Sequence, residues 1–493
     1  MVKIANLLSQ AGHDVTILQV PMNPKIDDSD VKGPKIAKPS SRNPDIDSKA
    51  VLLKSFYEES WSEKNDNPLK SVNKLKEMLS WISSSCEHTI KDPKLTVKMR
   101  EENFDLAIVE IFAPCGLGVA KYYNVRHTVT VSSGPYFDPT LARLGLTAPI
   151  SQLATSFASL PQKMNILERV INFVTYLEIK SIFNHALYVG NDIFERIYPE
   201  GQIDLDKLFA ETAYYIVNSD PLTNYGMPST PKFLQLGGFL SPNSKPLSGE
   251  FNEILNKRKK NVLISFGSIA KSCKMTDNMK NNLARLFKEH PDVTFIWKYE
   301  EDRPEILKGI DNVLTYKWMP QIDLLADSRM SLFVTHGGMN SLLEASKFGV
   351  PMVDIPLFED QPRNAKVVEE LKLGRGISKF DFDGNYDKLK EVFDDLMNNK
   401  IYSETAKRTS LMIANRPYNP RDLFIKYIEF AAKFGRVDHF TIPNSDLPLW
   451  KWLYLDIISV LIGVILMVVF VTKKAINVVK NNICKGKKSH KTD

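Results

Sequence analysis

What is scarce in this chain narrows its chemistry. Only four cysteines occur in 493 residues, Cys86, Cys115, Cys273 and Cys484, and no two fall at CxxC or Cys/His ligand spacing. A zinc site is therefore not expected, and stability should come from burial rather than from a disulfide framework. No Asn-x-Ser/Thr sequon is present, so glycosylation marks no lumenal surface. A large excess of one charge is lacking too: the net charge is +6, yet seven lysines lie after residue 472, which leaves the rest near neutral. That balance argues against a binder of phosphate backbones, and no nucleic-acid partner is expected. The length calls for two or three domains, and 43% hydrophobic with 25% charged residues describes a globular chain.

The front of the chain lacks something as well. It opens MVKIANLLSQAGHDVTILQV, with no signal peptide. Ile4, Leu7 and Leu8 have helical spacing, Gly12 breaks the helix, and 15–20 reads as a strand. A parallel sheet opens on a strand and then a helix, so the first strand is missing. This order predicts an N-terminally truncated chain whose full form carries a signal peptide and that strand.

Long apolar runs are absent except for one. Residues 453–472 have the length a helix needs to cross the hydrocarbon layer. Trp450, Trp452 and Tyr454 suit one interface, and Lys473 and Lys474 close the other. We expect a single transmembrane helix, a lipid bilayer as partner, and a basic cytosolic tail at 473–493. With a signal peptide restored, the globular part would be lumenal. The lysine-rich end suggests retention in the endoplasmic reticulum membrane, although Lys491 lacks the second lysine of a dilysine signal.

Between these ends an α/β rhythm runs twice. Apolar segments at 104–112, 127–133 and 213–219 read as buried parallel strands of a first domain. A helix is expected around 72–83. Residues 151–200 should be mostly helical, and their broad apolar face is read as packing rather than as membrane contact. Strands are expected at 261–266, 293–299, 313–318, 330–336 and 350–356, with helices between them. The pattern predicts two doubly wound domains facing a cleft: 1–238, a linker at 239–250, and 251–445. Ligands in such sheets bind beyond the carboxyl ends of the strands.

The segment 318–361 places ligand-type residues at those ends. A strand finishes at Thr335, and His336-Gly337-Gly338 turns into a helix over 340–348. A helix start offers unpaired N–H groups and a positive dipole end, which suits a diphosphate. The glycines let the backbone approach, and His336 adds a donor. Glu344 shares a face with Asn340 and can accept from ribose hydroxyls. Trp318 offers a flat face for uracil, and Asp360 and Gln361 can hold sugar hydroxyls. Three DxD triplets, at 45–47, 204–206 and 381–383, follow no strong strand and read as solvated acidic turns.

The WxPQ…HGGxNS…DQ set, together with AGHDVTILQ (11–19), FDLAIVEIFAPCG (104–116), LISFGSIAKS (263–272), PLFEDQPRNA (356–365) and the anchor, resembles the UDP-glycosyltransferase superfamily. Within it the likeness is to animal UDP-glucuronosyltransferases of invertebrate flavour, over nearly the whole chain. The resemblance implies a GT-B fold with an N-terminal acceptor domain and a C-terminal UDP-sugar domain. It implies inverting transfer of a sugar, glucuronic acid first and glucose as the alternative, to a hydroxyl of a small lipophilic acceptor. UDP-glucuronate or UDP-glucose would be the co-substrate, with neither cofactor nor metal. By the same resemblance Trp318 and Gln321 contact uracil and Glu344 the ribose. Ser268, His336, Gly337, Gly338, Asn340 and Ser341 surround the diphosphate, and Asp360 and Gln361 the sugar. The family's catalytic histidine lies in a loop before the first helix and has no match here, His13 coming one helix too late. Glu110 takes the place of the family's aspartate that orients that histidine. Read from its own surroundings, Glu110 could equally cap the helix at Cys115. A donor-binding but inactive short form is the second hypothesis, and homo- or hetero-oligomerisation is left open.

Overall fold

A computed structural model describes residues 1–20, 28–41, 43, 44, 47, 51, 58–62, 68–146, 150–442 and 448–489. The DxD at 45–47 lies largely outside them. Twelve strands are described: β1 (Thr16–Leu18), β2 (Lys35–Ala37), β3 (Leu106–Glu110), β4 (His127–Ser132), β5 (Tyr215–Val217), β6 (Phe233–Gln235), β7 (Lys260–Ile264), β8 (Val293–Lys298), β9 (Val313–Tyr316), β10 (Met330–Thr335), β11 (Met352–Asp354) and β12 (Gly374–Gly376). The helices that matter below are α1 (Val2–Gln10), α2 (Pro68–Ile90), α3 (Cys115–Tyr122), α4 (Ile166–Ile197), α5 (Gln321–Ala326), α6 (Met339–Phe348), α7 (Gln361–Glu370), α8 (Pro420–Phe434) and α9 (Leu455–Ser489).

The second half forms one six-stranded parallel sheet, ordered β12-β11-β10-β7-β8-β9. Its strands are apolar along their whole length: Val262, Leu263, Ile264, Phe295, Ile296, Leu332 and Phe333 are all below 2% exposed. Helices on both faces require that, because every side chain of such a strand meets a neighbour. The first half is divided. β3-β4-β5-β6 form a parallel sheet of four, while β1 pairs only with β2 in a separate parallel sheet of two. α1 lays Ile4, Leu7 and Leu8 on Val129, Val131 and Ile216 of the four-stranded sheet.

Three features differ from the sequence reading. Cys86 and Cys115 form a disulfide between α2 and α3, which spacing did not announce. Closing a loop of 29 residues this way constrains the unfolded chain by about 3 kcal/mol. α8, counted within 251–445, returns to the first sheet: Phe424, Ile428 and Ala431 join the cluster around β4, and Phe424 stacks on Phe239 at 4.4 Å. In α4 only the second half packs. Ile179, Ile182, Phe183, Ala186 and Leu187 are buried, whereas Ile166, Leu167, Val170, Phe173 and Val174 are about half exposed or more.

The chain separates into two units, Met1–Ile442 and Pro443–Asp493. In the second, 27 residues from Leu455 to Asn481 are long and apolar enough to cross a membrane, with mean hydropathy 2.8.

Candidate functional site

The carboxyl ends of both parallel sheets line one cleft within the unit Met1–Ile442. Asn218, just beyond β5, donates to Asn340 Oδ1 at 2.9 Å and to the Ser133 carbonyl at 3.3 Å, which ties the two walls together. Gly134, just beyond β4, stands with its Cα hydrogen toward Asp360: a Cβ there would lie 3.6 Å from Asp360 Oδ2. On the same loop the Ser133 N–H donates to Glu110 Oε1 at 3.4 Å. Glu110 and Asp360 therefore approach one short loop from opposite domains.

On the second wall, β10 ends at Thr335 and α6 begins at Met339. No side chain caps that start, so its first N–H groups remain available to an anion. The His336 ring lies between Gly267 and Gly338. A Cβ on either would come within 3.1 Å or 2.8 Å of an imidazole atom, so the loops must be glycine to admit the ring. Burial, with Lys298 nearby, lowers the His336 pKa to about 4. At neutral pH it is an uncharged imidazole with one N–H to give. Lys298 donates to the Gly267 carbonyl at 2.6 Å and pairs with Glu300 at 3.3 Å.

The remaining donor-side residues fall where sequence placed them, with two refinements. Trp318 is 74% exposed beside the cleft, an open flat ring. Gln321, at the start of α5, donates to Glu344 Oε2 at 2.7 Å, and burial pushes the Glu344 carboxyl up. Ser268 is exposed after β7, and Ser341 is buried in the first turn of α6. Gln361 differs from its expected contact with sugar. It is 3% exposed and turns its Oε1 inward to accept from Leu357 and Phe358 N–H at 2.9 and 3.2 Å. It shapes the loop that carries Asp360.

Sequence reading missed Asn364, Asp354 and Glu359. Asn364 Nδ2 bridges the Gly337 carbonyl at 3.0 Å and Asp360 Oδ2 at 2.8 Å, fastening the diphosphate turn to the sugar loop. Its spacing from Asp360, one helical turn, was the available signal. Asp354 is fully buried beneath Gly337 with neither oxygen bonded, and burial raises its pKa to about 7. Glu359 adopts a left-handed φ of 56°, unusual away from glycine.

On the first wall, Glu110 ends β3. Protein crowds its carboxyl although part of it reaches the cleft, and that burial pushes its pKa to about 7, against a lowering by the Met1 ammonium and the Ser133 and Ile111 N–H groups. The start of α1 therefore faces Glu110, and no histidine is among the groups acting on it. His13 lies elsewhere, 3.2 Å from Glu429. No bond from Glu110 caps the start of α3, which removes the capping alternative. Two DxD triplets do structural work: Asp204 caps its helix through Asp206 and Lys207 N–H, and Asp383 accepts from Thr276.

Two parallel doubly wound sheets, with a free helix start facing a carboxylate across one cleft, define a GT-B glycosyltransferase. The same architecture occurs in the solved glycosyltransferase of kitacinnamycin (TM-score 0.58, 17% identity, 87% of this chain and 94% of that one). It also occurs in an indoxyl-glucosylating UDP-glucosyltransferase from Polygonum tinctorium (0.57, 17%, 87% and 95%). The family whose model matches residues 1–490 is that of UDP-glucoronosyl and UDP-glucosyl transferases, and the chain belongs to it. Among its curated relatives are UDP-glucuronosyltransferase 1A1 of Rattus norvegicus, 27% identical over 83% of this chain and 75% of the relative. UDP-glucuronosyltransferase 1A10 of Homo sapiens is 29% identical over 80% and 73%.

Proposed function

We propose that the protein transfers a sugar, with inversion, from a UDP-sugar to a hydroxyl of a small lipophilic acceptor at the endoplasmic-reticulum membrane. The observation that carries this is the convergence of Glu110 and Asp360 on the loop Ser132–Gly134, with the uncapped start of α6 on the same side. The acceptor oxygen attacks the anomeric carbon as its proton passes to a base. The bond from that carbon to the diphosphate oxygen breaks, and UDP leaves with the electron pair. Negative charge grows on the leaving diphosphate, where the α6 N–H groups and His336 can meet it without a metal.

The base belongs to the segment before α1, whose start faces Glu110, and Glu110 orients it and stabilises the charge it gains. A polypeptide that begins at Met1 would then bind donor and turn over little, which is the second reading. The Cys86–Cys115 disulfide favours a lumenal, oxidising location for the globular unit, with Leu455–Asn481 as the anchor. Sealed microsomes treated with protease check this: the globular unit should survive until detergent is added, and digestion without it would contradict the lumenal placement. For the reaction itself, NMR of the product from an α-linked UDP-sugar and a simple phenol should show a β-glycoside. An α-linked product would sink the inverting mechanism.

A further inference from the structure

We propose that the sugar end of this site is built for an uncharged hexose, with Glu359 acting against a uronate donor. The inference rests on the donor-site reading above, and it revises the expectation of glucuronic acid.

Glu359 and Asp360 are consecutive carboxylates on the loop between β11 and α7. Glu359 is open to solvent, yet protein surrounds it closely enough that burial, and after it Asp360, hold its carboxyl up to about 7. Exposure together with crowding describes a group on a concave wall, not on a convex surface. Its backbone is left-handed at φ 56°, a conformation that costs a residue with a Cβ about 1 kcal/mol and persists only where the surroundings impose it. The bonds of Gln361 to Leu357 and Phe358 N–H hold that loop, so the direction of the Glu359 side chain is fixed with it. Across the cleft, Gly134 stands against Asp360 and Ser133 holds Glu110. Three carboxylates thus gather where the sugar would lie.

A uronate needs a cation with a free hydrogen-bonding position. Among the described residues, the two basic side chains closest to these carboxylates do not offer one. Arg363 is 1% exposed, donates through Nη2 to Asn224 at 2.8 Å, and lies over the rings of Tyr136 and Tyr225. Its Nε and Nη1 have no partner, but the aromatic rings seal them from the cleft, and its charge is shared with Asp138 and Asp360. Lys298 is committed to Gly267 and Glu300. A hexose presents only hydroxyls, each able to donate to a carboxylate oxygen. A uronate brings a fourth negative charge into a site poor in water, where like charges at close range repel strongly.

Calorimetric titration of the full chain in detergent, at pH 8 and with UDP, UDP-glucose and UDP-glucuronate, tests this. UDP-glucose should bind about tenfold or more tighter than UDP-glucuronate. Glu359→Gln, and independently Glu359→Gly, should narrow that ratio about tenfold while leaving UDP itself unchanged. Glu359→Gly also relieves the left-handed backbone, so one of the two folds even if the loop is sensitive. Equal or tighter binding of UDP-glucuronate by the wild type, or a ratio unmoved in both variants, would overturn the proposal. If UDP fails to bind at all, the donor-site reading falls, and this inference falls with it.

Discussion

The two walls of the cleft are built in different ways, and the difference explains why one is so much easier to read. The donor wall belongs to an unbroken six-stranded sheet, and its recognition groups are largely backbone: an uncapped helix start, glycines pressed against His336, a loop fixed by Gln361. Backbone recognition demands particular residues at fixed offsets, so it leaves a dense trace in sequence. The acceptor wall belongs to a sheet split between β1–β2 and β3–β6, and Glu110 meets the start of α1 rather than a catalytic imidazole. Its pocket is made of side chains on helices that are free to vary, and the trace is faint.

The largest expected effect addresses the incomplete wall. Supplying the segment that precedes α1, with a strand and a histidine, should raise transfer by roughly 10²–10⁴-fold over a chain starting at Met1, the range general-base catalysis contributes. In that longer form Glu110→Gln should lower kcat with little change in KM, because glutamine keeps the bond geometry and cannot stabilise an imidazolium. Steady-state assays of the pair decide it; vigorous transfer from Met1 with no effect of Glu110→Gln would erase the contrast between the walls.

The next effect concerns stability. Asp354 has its folded pKa raised to about 7 from a model value of 3.8. A raised carboxyl binds protons in the folded state that the unfolded chain has released, so stability falls as pH climbs through roughly 4 to 7. Asp354→Asn should remove much of that fall, on the order of 3 kcal/mol between pH 5 and 8. Denaturant titrations at both pH values measure it, and an unchanged pH slope would show that Asp354 already has a hidden partner. A smaller effect is expected at Trp318. Truncation to alanine should weaken UDP by about 1 kcal/mol through lost stacking, without altering the midpoint of thermal unfolding. A variant that binds UDP as before would place uracil elsewhere.

Sequence legibility follows the same division. All five strands expected in the second half appear, shortened at their ends, because each is an apolar run bounded by turn residues. β12, Gly-Arg-Gly, was invisible, since its partner β11 rather than its own composition makes it a strand. β2 and β6 were missed for the same reason, each being three residues long. Helix α8 has an ordinary amphipathic pattern, and nothing local says that its apolar face returns to the first sheet. The exposed first half of α4 shows the limit from the other side: periodicity identifies an apolar face, not what covers it. At the site, His336, Gly337 and Gly338 could be placed from sequence, whereas Asn364 and Asp354 matter only through bonds and burial that the fold creates.

The account turns on donor binding that resides in the second wall alone. The most direct test is calorimetric titration of UDP into the wild-type chain, His336→Ala and Glu110→Gln, each checked for folding by circular dichroism. His336→Ala should lose about 1.5–3 kcal/mol of binding, the worth of a hydrogen bond to a charged phosphate oxygen, and Glu110→Gln should lose none. Undiminished UDP binding by folded His336→Ala, or a comparable loss in Glu110→Gln, would contradict it.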